Sequence, residues 1–420
     1  MQSLADLKAG KLKGITQLKI SENLSSFPLE IFDLAETLEV LDLSHNLLTD
    51  IPEGISCLKK LKIAFFSFNR LKSVPSSLMS CNKLYMLGLK ANQIETFDED
   101  ILPLSISWLI LTDNRLKTLP RSIGKLSKLQ KFPLAGNQLS HLPEEMSQCK
   151  NLELLRLSAN NLTEIPLWLL DLPKLSWLAF SGNPCATTPQ TDIKEVHYEQ
   201  LEVKELLGEG ASGEIYKGFD PASEQDIAIK LFKGEITSDG YAKDEMNAYM
   251  STGDHDHLIK VLAKIEGNKP LGLVLEFIPS HYQNLGFPPN FQTCTRDTFK
   301  EGITFKIETI ESVVKAMLSA STHLHSKGLM HGDLYAHNIL IDMDEDHCYL
   351  GDFGAASFYD KNNKKFEKLE VRAFGCLIDD LLQLSTERTS PKYKRLQELS
   401  DRCMHEDTQN RPFFSEISLA

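Results

Sequence analysis

Apolar residues recur through the first half of the chain in one frame, L-x-x-L-x-L-x-x-N-x-L-x-x-[IVLF]-P. One copy reads Leu38, Leu41, Leu43, Asn46, Leu48, Ile51 and Pro52; another reads Leu152, Leu155, Leu157, Asn160, Leu162, Ile165 and Pro166. The asparagines stand at Asn23, Asn46, Asn69, Asn92, Asn114, Asn137, Asn160 and Asn183, a spacing of 23 residues six times and 22 once. Alternation around the leucines predicts a short strand in each copy, its leucines on one face. The asparagine is placed to bond backbone groups in the turn that follows. A unit this short leaves its apolar faces open until a neighbour stacks on it, which predicts a curved solenoid with a parallel sheet on its concave side. In the first copy Phe27-Pro28 arrives one residue early, and the last copy stops at Asn183-Pro184. Both read as caps.

The frame resembles leucine-rich repeats over roughly residues 15–183. Strand alternation assigns the positions between the core leucines to the concave face: Val40 and Asp42, Ile63 and Phe65, Met86 and Gly88, Trp108 and Ile110, Leu154 and Arg156, Trp177 and Ala179. This face is apolar and aromatic. Exposed Phe65, Trp108 and Trp177 are expected to bind a protein partner or the chain's own second domain. Strand propensity alone also favours bulky residues there.

After Asn183 the periodicity stops. Residues 184–196, with two prolines and a polar run, read as a linker. In LLGEGASGEIYK, Gly208, Gly210 and Gly213 form G-x-G-x-x-G. A dinucleotide site needs a helix straight after such glycines; here GEIYKGFD continues as a strand and turns at Asp220-Pro221. A second strand, DIAIKLF, carries Lys230. Two antiparallel strands with a glycine loop between them suit phosphates, which Lys230 neutralises. The helical stretch YAKDEMNAYM offers Glu245 as a partner for Lys230, ahead of Glu235 and Asp244 by spacing. LMHGDLYAHNILID and CYLGDFGAASF follow. Phosphoryl transfer needs a carboxylate near the acceptor hydroxyl and oxygen ligands for magnesium; Asp333, Asn338 and Asp352 supply both.

This ordered set resembles the eukaryotic-type protein-kinase fold over about residues 198–417. The whole arrangement resembles a soluble leucine-rich-repeat-containing protein kinase of the serine/threonine type. The resemblance implies two domains: a leucine-rich-repeat solenoid (an α/β horseshoe) over 1–183, and a bilobal α+β kinase-like domain over 197–420. It implies ATP and Mg2+ as cofactors. Gly208, Glu209, Gly210, Ala211, Ser212, Gly213 and Ile215 would cover the nucleotide. Ala228, Leu275, Glu276 and Ile278 would receive the adenine. Lys230 would anchor the phosphates and pair with Glu245, Asp333 would be the catalytic base, and Asn338 and Asp352 would hold the metal.

Four departures bear on the acceptor. Gly332 stands where an arginine is usual, and Tyr335 where a lysine is common. The segment after Gly354 is short and lacks Ala-Pro-Glu. Glu370 replaces an aspartate, and Arg411 lacks its usual glutamate partner and must be satisfied otherwise. His331-Gly332-Asp333 with a short segment is also similar to small-molecule phosphotransferases; an inert pseudokinase scaffold is the third reading. Residues 280–305 read as an insertion near the cleft mouth that either shapes substrate access or is a long surface loop.

Bulk properties agree with two soluble domains: 420 residues, 42% hydrophobic and 25% charged. A net charge of −13 argues against a nucleic-acid or anionic-membrane partner. The eight cysteines show no CxxC pairing and read as free thiols in a reducing compartment. No apolar run predicts a membrane span, and the N-terminus lacks the apolar core of a signal peptide. A cytoplasmic location is expected.

Overall fold

The computed structural model describes residues 2–189, 191, 193–210, 212–233, 237, 239–266 and 271–419. Ala211, Glu235 and two positions of the expected linker, Gln190 and Asp192, lie outside the described residues. The chain forms two compact units: Met1–Leu172 with Asn183–Cys185, and Pro173–Gly182 with Ala186–Ala420.

The first unit opens with helix α1 (Leu4–Lys8), whose first turn is capped by Ser3 accepting from the Asp6 N–H. Seven three-residue strands then recur: β1 (Gln17–Lys19), β2 (Val40–Asp42), β3 (Ile63–Phe65), β4 (Met86–Gly88), β5 (Trp108–Ile110), β6 (Lys131–Pro133) and β7 (Leu154–Arg156). Each pairs in parallel with the next, one repeat length on: Val40 opposes Ile63, and Ile63 opposes Met86. Between strands the chain returns through short 3-10 helices such as Glu53–Cys57 and Arg121–Lys125, or through α2 (Leu167–Leu170). Each of these begins directly after a proline, Pro52, Pro120 and Pro166, held extended. Proline's fixed φ sets the entry, and it brings no N–H to satisfy. The central strand residues Leu41, Ala64, Leu87, Leu109, Phe132 and Leu155 are fully buried.

The frame asparagines reach further than the following turn. Asn137 Nδ2 donates to Leu134 O and, one repeat back, to Leu111 O, both at 2.9 Å; its Oδ1 accepts from the Leu116 N–H at 3.0 Å. Asn46, Asn69, Asn114, Asn160 and Asn183 repeat the pattern. Each asparagine thus satisfies buried backbone groups of two successive repeats, and the ladder stitches the stack. Asn23, in the first cap, is exposed.

The face expected to be open is largely covered. Phe65 is half-buried, its ring lying where a side chain on Gly88 would collide with it at 2.5 Å. Trp108 is only 9% exposed, and Lys131 Nζ sits 4.3 Å from its ring centroid. Trp177 is 1% exposed and belongs to the second unit. The expectation of three exposed aromatic anchors is therefore corrected: the Phe65 ring lies over Gly88 and stays partly exposed, Lys131 covers Trp108, and Trp177 is packed away altogether.

In the second unit, β8 (Trp177–Ala179) precedes β9 (Glu195–His197), which starts inside the stretch read as linker. A six-stranded sheet follows, adding β10 (Glu202–Glu209), β11 (Gly213–Asp220), β12 (Gln225–Phe232), β13 (Val261–Glu266) and β14 (Gly272–Glu276) in the order β10-β11-β12-β14-β13-β9. β9 pairs in parallel with β13, and Val196 packs on a core of Leu201, Ile227, Ile229, Ala263, Ile265 and Val274. Helix α3 (Ala242–Thr252) links β12 to β13. Beyond β14 come β15 (Gln283–Asn284), helix α4 (Ile307–Ser326), β16 (Leu329–Met330), β17 (Ile339–Asp342), β18 (His347–Leu350), β19 (Ser357–Phe358), α5 (Lys365–Gln383) and α6 (Pro391–Cys403). β15, β17 and β18 form a small antiparallel sheet, and β16 pairs with β19. Among the described residues no helix is long and apolar enough to cross a membrane. The structure pairs none of the eight cysteines in a disulfide.

Replacing Asn137 by alanine leaves buried donors and acceptors of two repeats unpaired. It should destabilise the chain by about 2–4 kcal/mol, since each stranded group costs roughly 1–3 kcal/mol. Asn23→Ala, at the exposed cap but at φ +56°, should cost only about 1 kcal/mol, the strain of alanine in the left-handed region. Urea midpoints measure both, and equal losses would contradict the ladder.

Candidate functional site

The glycine loop spans the β10–β11 turn, where the Gly210 N–H donates to Gly213 O at 2.9 Å. Gly213 is a packing glycine: a Cβ there would meet Leu231 O at 2.2 Å. At Gly208 and Gly210 a Cβ would meet nothing within 4 Å among the described residues. Packing against those residues does not account for these two glycines. Glu209 and Glu214, facing each other across the turn, share Lys233. Ser212 Oγ reaches Glu245 Oε1 at 3.5 Å.

Lys230 lies mid-strand in β12, opposite Ile215 and Leu273, and its ammonium is hydrogen-bonded to Glu245 Oε1 from α3. Both are buried. Burial opposes a charge on Lys230, but Tyr249, Glu245 and Asp352 outweigh it and hold the ammonium above its ordinary value. Tyr249, in α3, has its phenol pushed up to about 12 by burial. Its oxygen accepts the Asp352 N–H at 3.0 Å, and its ring meets Phe353 edge-on at 4.8 Å. One helix therefore fixes both the lysine partner and the start of Asp352-Phe353-Gly354. On the neighbouring strand, Ala228 pairs with Leu275, and both are buried; Glu276 and Ile278 are half-buried. Glu276 Oε1 is engaged by the Lys260 N–H at 2.6 Å.

The loop between β16 and β17 brings Asp333 and Asn338 together. Asn338 Nδ2 donates to Asp333 O and to Asp333 Oδ2, both at 2.9 Å, which leaves the amide oxygen as the atom Asn338 has for a cation. The Asp333 N–H donates to His331 Nδ1 at 3.2 Å, and His331 Nε2 lies 2.9 Å from Gly351 O, next to Asp352. Asp352 is exposed and sits at φ +54°, a left-handed geometry held by the Tyr249 bond and by its own Oδ1 accepting from the Gly354 N–H. The structure therefore groups Lys230, Glu245 and Asp352 through α3, and Asp333 with Asn338 through their loop.

The departures from the expected pattern have local solutions. The buried Glu370 carboxylate accepts from the Gly332 N–H at 2.6 Å and the His331 N–H at 3.1 Å, and lies 2.7 Å from His325 Nε2. Burial works against its charge; the His325 bond and the Gly332 N–H help to prevail over it and hold the carboxyl below its usual range. The longer side chain does the holding an aspartate would do from closer in. Arg411 donates to three carbonyls, His405 O, Lys368 O and Pro173 O, at 2.9, 3.2 and 2.7 Å. Gly332 has φ +73°, and a Cβ there would stand 2.6 Å from Leu178 O and 2.7 Å from Ala355 O. Tyr335 is stacked on Trp177.

Sequence reading missed Asp297 and His337. The 280–305 stretch is partly buried and tied down: Arg296 bonds Asp379 and Asp380 of α5, and Asp297 accepts from the His337 N–H at 3.1 Å and meets its Nδ1 at 2.7 Å. Burial disfavours the imidazolium, but Asp297 first, then Asp333 and Asp352, raise its pKa. His337 is thus held toward its protonated form in a loop that has tyrosine at position 335. The pairing spans 40 residues, and no local pattern marks it.

The donor set fits a nucleotide with a divalent cation. Mg2+ takes one or two protein oxygens and completes its shell with phosphates and water; Asn338 and Asp352 provide that number. Among the described residues Glu245 Oε2 is buried without a hydrogen-bond partner, and a Cβ on Gly354 would lie 3.6 Å from it. It is a spare acceptor beside the lysine and the exposed carboxylate.

Comparison with known proteins bears on both units. Residues 201–375 match the protein kinase domain family, and residues 104–162 and 37–58 match leucine-rich-repeat families. The serine/threonine-protein kinase AtPK2/AtPK19 of Arabidopsis thaliana is 29% identical over 191 residues, 44% of this chain and 38% of that protein. The L-type lectin-domain containing receptor kinase V.5 of the same plant is 28% identical over 193 residues, 44% of this chain and 27% of its own. This chain thus spans well under half the length of these curated relatives. A solved leucine-rich-repeat protein of Leptospira interrogans is 27% identical, covering 43% of this chain and 53% of that one, with a TM-score of 0.37.

The His337–Asp297 pair should leave a pH signature. A raised histidine stabilises the fold fully below its unfolded pKa, about 6.5, and that contribution fades as pH rises through the folded value. The stability gap between wild type and Asp297→Asn should therefore be widest near pH 6 and narrow on the alkaline side. Denaturant titrations across pH 5.5–9 measure it; a gap that widens with pH would refute the pairing.

Proposed function

We propose that this chain, which carries a protein kinase domain and leucine-rich repeats, is an ATP- and Mg2+-dependent serine/threonine protein kinase whose repeats bind a protein partner or regulate transfer. The observation that carries this is the convergence of Lys230–Glu245, Asp333–Asn338 and Asp352 in one unit, each oriented by a bond made elsewhere in the fold. Lys230 holds phosphate oxygens, with Glu245 keeping its ammonium in place. Asn338 and Asp352 hold the metal. Asp333 orients the acceptor hydroxyl and takes its proton as the new P–O bond forms and the bond to the leaving diphosphate breaks. Bound ATP–Mg2+ supplies the phosphoryl group and screens its charge. The relatives' kinase names support a protein acceptor.

A small-molecule acceptor is the second reading. It is favoured by the short stretch Ala355–Lys364 between Gly354 and α5, which offers a peptide little to lie on. The intact catalytic set weighs against an inert scaffold. Eight unbridged cysteines, several deeply buried, support a reducing, cytoplasmic setting. For the repeats, the partly exposed Val40, Asp42 and Phe65 are the better candidates for a partner surface.

With labelled ATP and Mg2+, transfer to protein should fall about 100- to 10,000-fold in Asp333→Ala, while that variant keeps the nucleotide-induced rise in melting temperature. Asp352→Asn should lose the Mg2+-dependent part of that rise. Label that persists in both variants would sink the assignment, and label found on amino-alcohols or sugars but never on protein would select the second reading.

A further inference from the structure

The segment Pro173–Gly182 closes the repeat frame in sequence yet belongs to the same compact unit as the catalytic loop. Its contacts there are dense. The Trp177 ring lies flat on Tyr335, with centroids 4.4 Å apart and planes 7° from parallel, and its Nε1 donates to Leu334 O at 3.2 Å. The Phe180 and Ser181 N–H groups donate to Ser357 Oγ of β19 at 2.9 and 3.2 Å. Phe180 packs on Phe366 of α5, centroids 5.3 Å apart. Pro173 O accepts from Arg372 Nε at 3.1 Å and from Arg411 Nη2 at 2.7 Å, while Arg372 Nη1 donates to Ser176 Oγ at 3.0 Å. One short segment therefore grips the catalytic loop, the stretch after Gly354, the start of α5 and the late Arg411.

We propose that Pro173–Gly182 is a buried platform beneath the loop Asp333–Asn338, and that Trp177 is a positioning residue that sets this loop through Tyr335 and Leu334. The proposal rests on the phosphotransferase reading of the site. The contact is built in rather than a lid that lifts. Gly332 is held at φ +73°, where Leu178 O and Ala355 O leave no room for a side chain. Trp177, Tyr335, Leu334 and Arg411 are all buried, so lifting the segment would strip the Arg411 guanidinium and the Leu334 carbonyl of bonds they make in the interior. Trp177 touches neither nucleotide nor acceptor in this scheme; it acts through the loop.

The test uses the full-length chain, wild type, Trp177→Ala and Trp177→Phe, with labelled ATP and Mg2+. Trp177→Ala should lower kcat by about 100-fold, the usual effect of displacing a catalytic group by about 1 Å, and leave the KM for ATP and the nucleotide-induced melting shift unchanged. Trp177→Phe keeps the stack and loses one hydrogen bond, so kcat should stay within about tenfold of wild type. Hydrogen exchange should quicken at residues 333–338 in Trp177→Ala and not at residues 213–220. Unchanged or increased kcat in Trp177→Ala, or unchanged exchange in the loop, overturns the platform. If wild type binds nucleotide but transfers no label, the kinase reading fails, and the exchange comparison still decides the platform.

Discussion

The carboxylate of Glu370 holds the catalytic loop from inside the core of the second unit. It accepts the N–H groups of His331 and Gly332 and pairs with His325, so two consecutive backbone groups and a side chain of α4 are fixed to one point on α5. Such a charge is tolerated in the interior only when its acceptor sites are filled, and here they are. Asp333 follows Gly332 directly, and Asn338 bonds back to Asp333. The placement of the proposed base therefore descends from a buried carboxylate that never meets substrate.

Around that point the unit distributes tasks among elements with few degrees of freedom. Strand β12 presents Lys230, and α3 supplies both Glu245 and Tyr249 on the face turned toward it, the latter holding the Asp352 N–H. Asp352 and the open glycines Gly208 and Gly210 lie in turns or at the end of a strand. Two residues on from Tyr335, His337 is oriented by Asp297 from a stretch that is tied to α5 by Arg296.

The first unit works by a different economy. Its repeats stack through identical backbone pairing, and the asparagine ladder fills the buried polar groups each turn would otherwise strand. No single residue there is as consequential as Glu370, because each rung supports only its neighbours.

What local pattern encodes was readable from the chain alone. The leucine and asparagine period implied the strands and their parallel order, since each repeat can bury its faces only on a copy of itself. The glycine loop, Lys230, Asp333, Asn338 and Asp352 were legible as candidates because each stands in a short local motif. Tertiary structure decided the rest. Trp177 sits in the repeat frame and looked like an exposed anchor, yet it is buried on Tyr335, and its indole N–H bonds Leu334, 157 residues away. Arg411 finds Pro173 O across 238 residues, and Glu370 finds Gly332 across 38. A side chain's identity states what it can bond; which distant backbone stands within about 3 Å of it depends on how the chain closes on itself, and no period or motif along the sequence carries that distance.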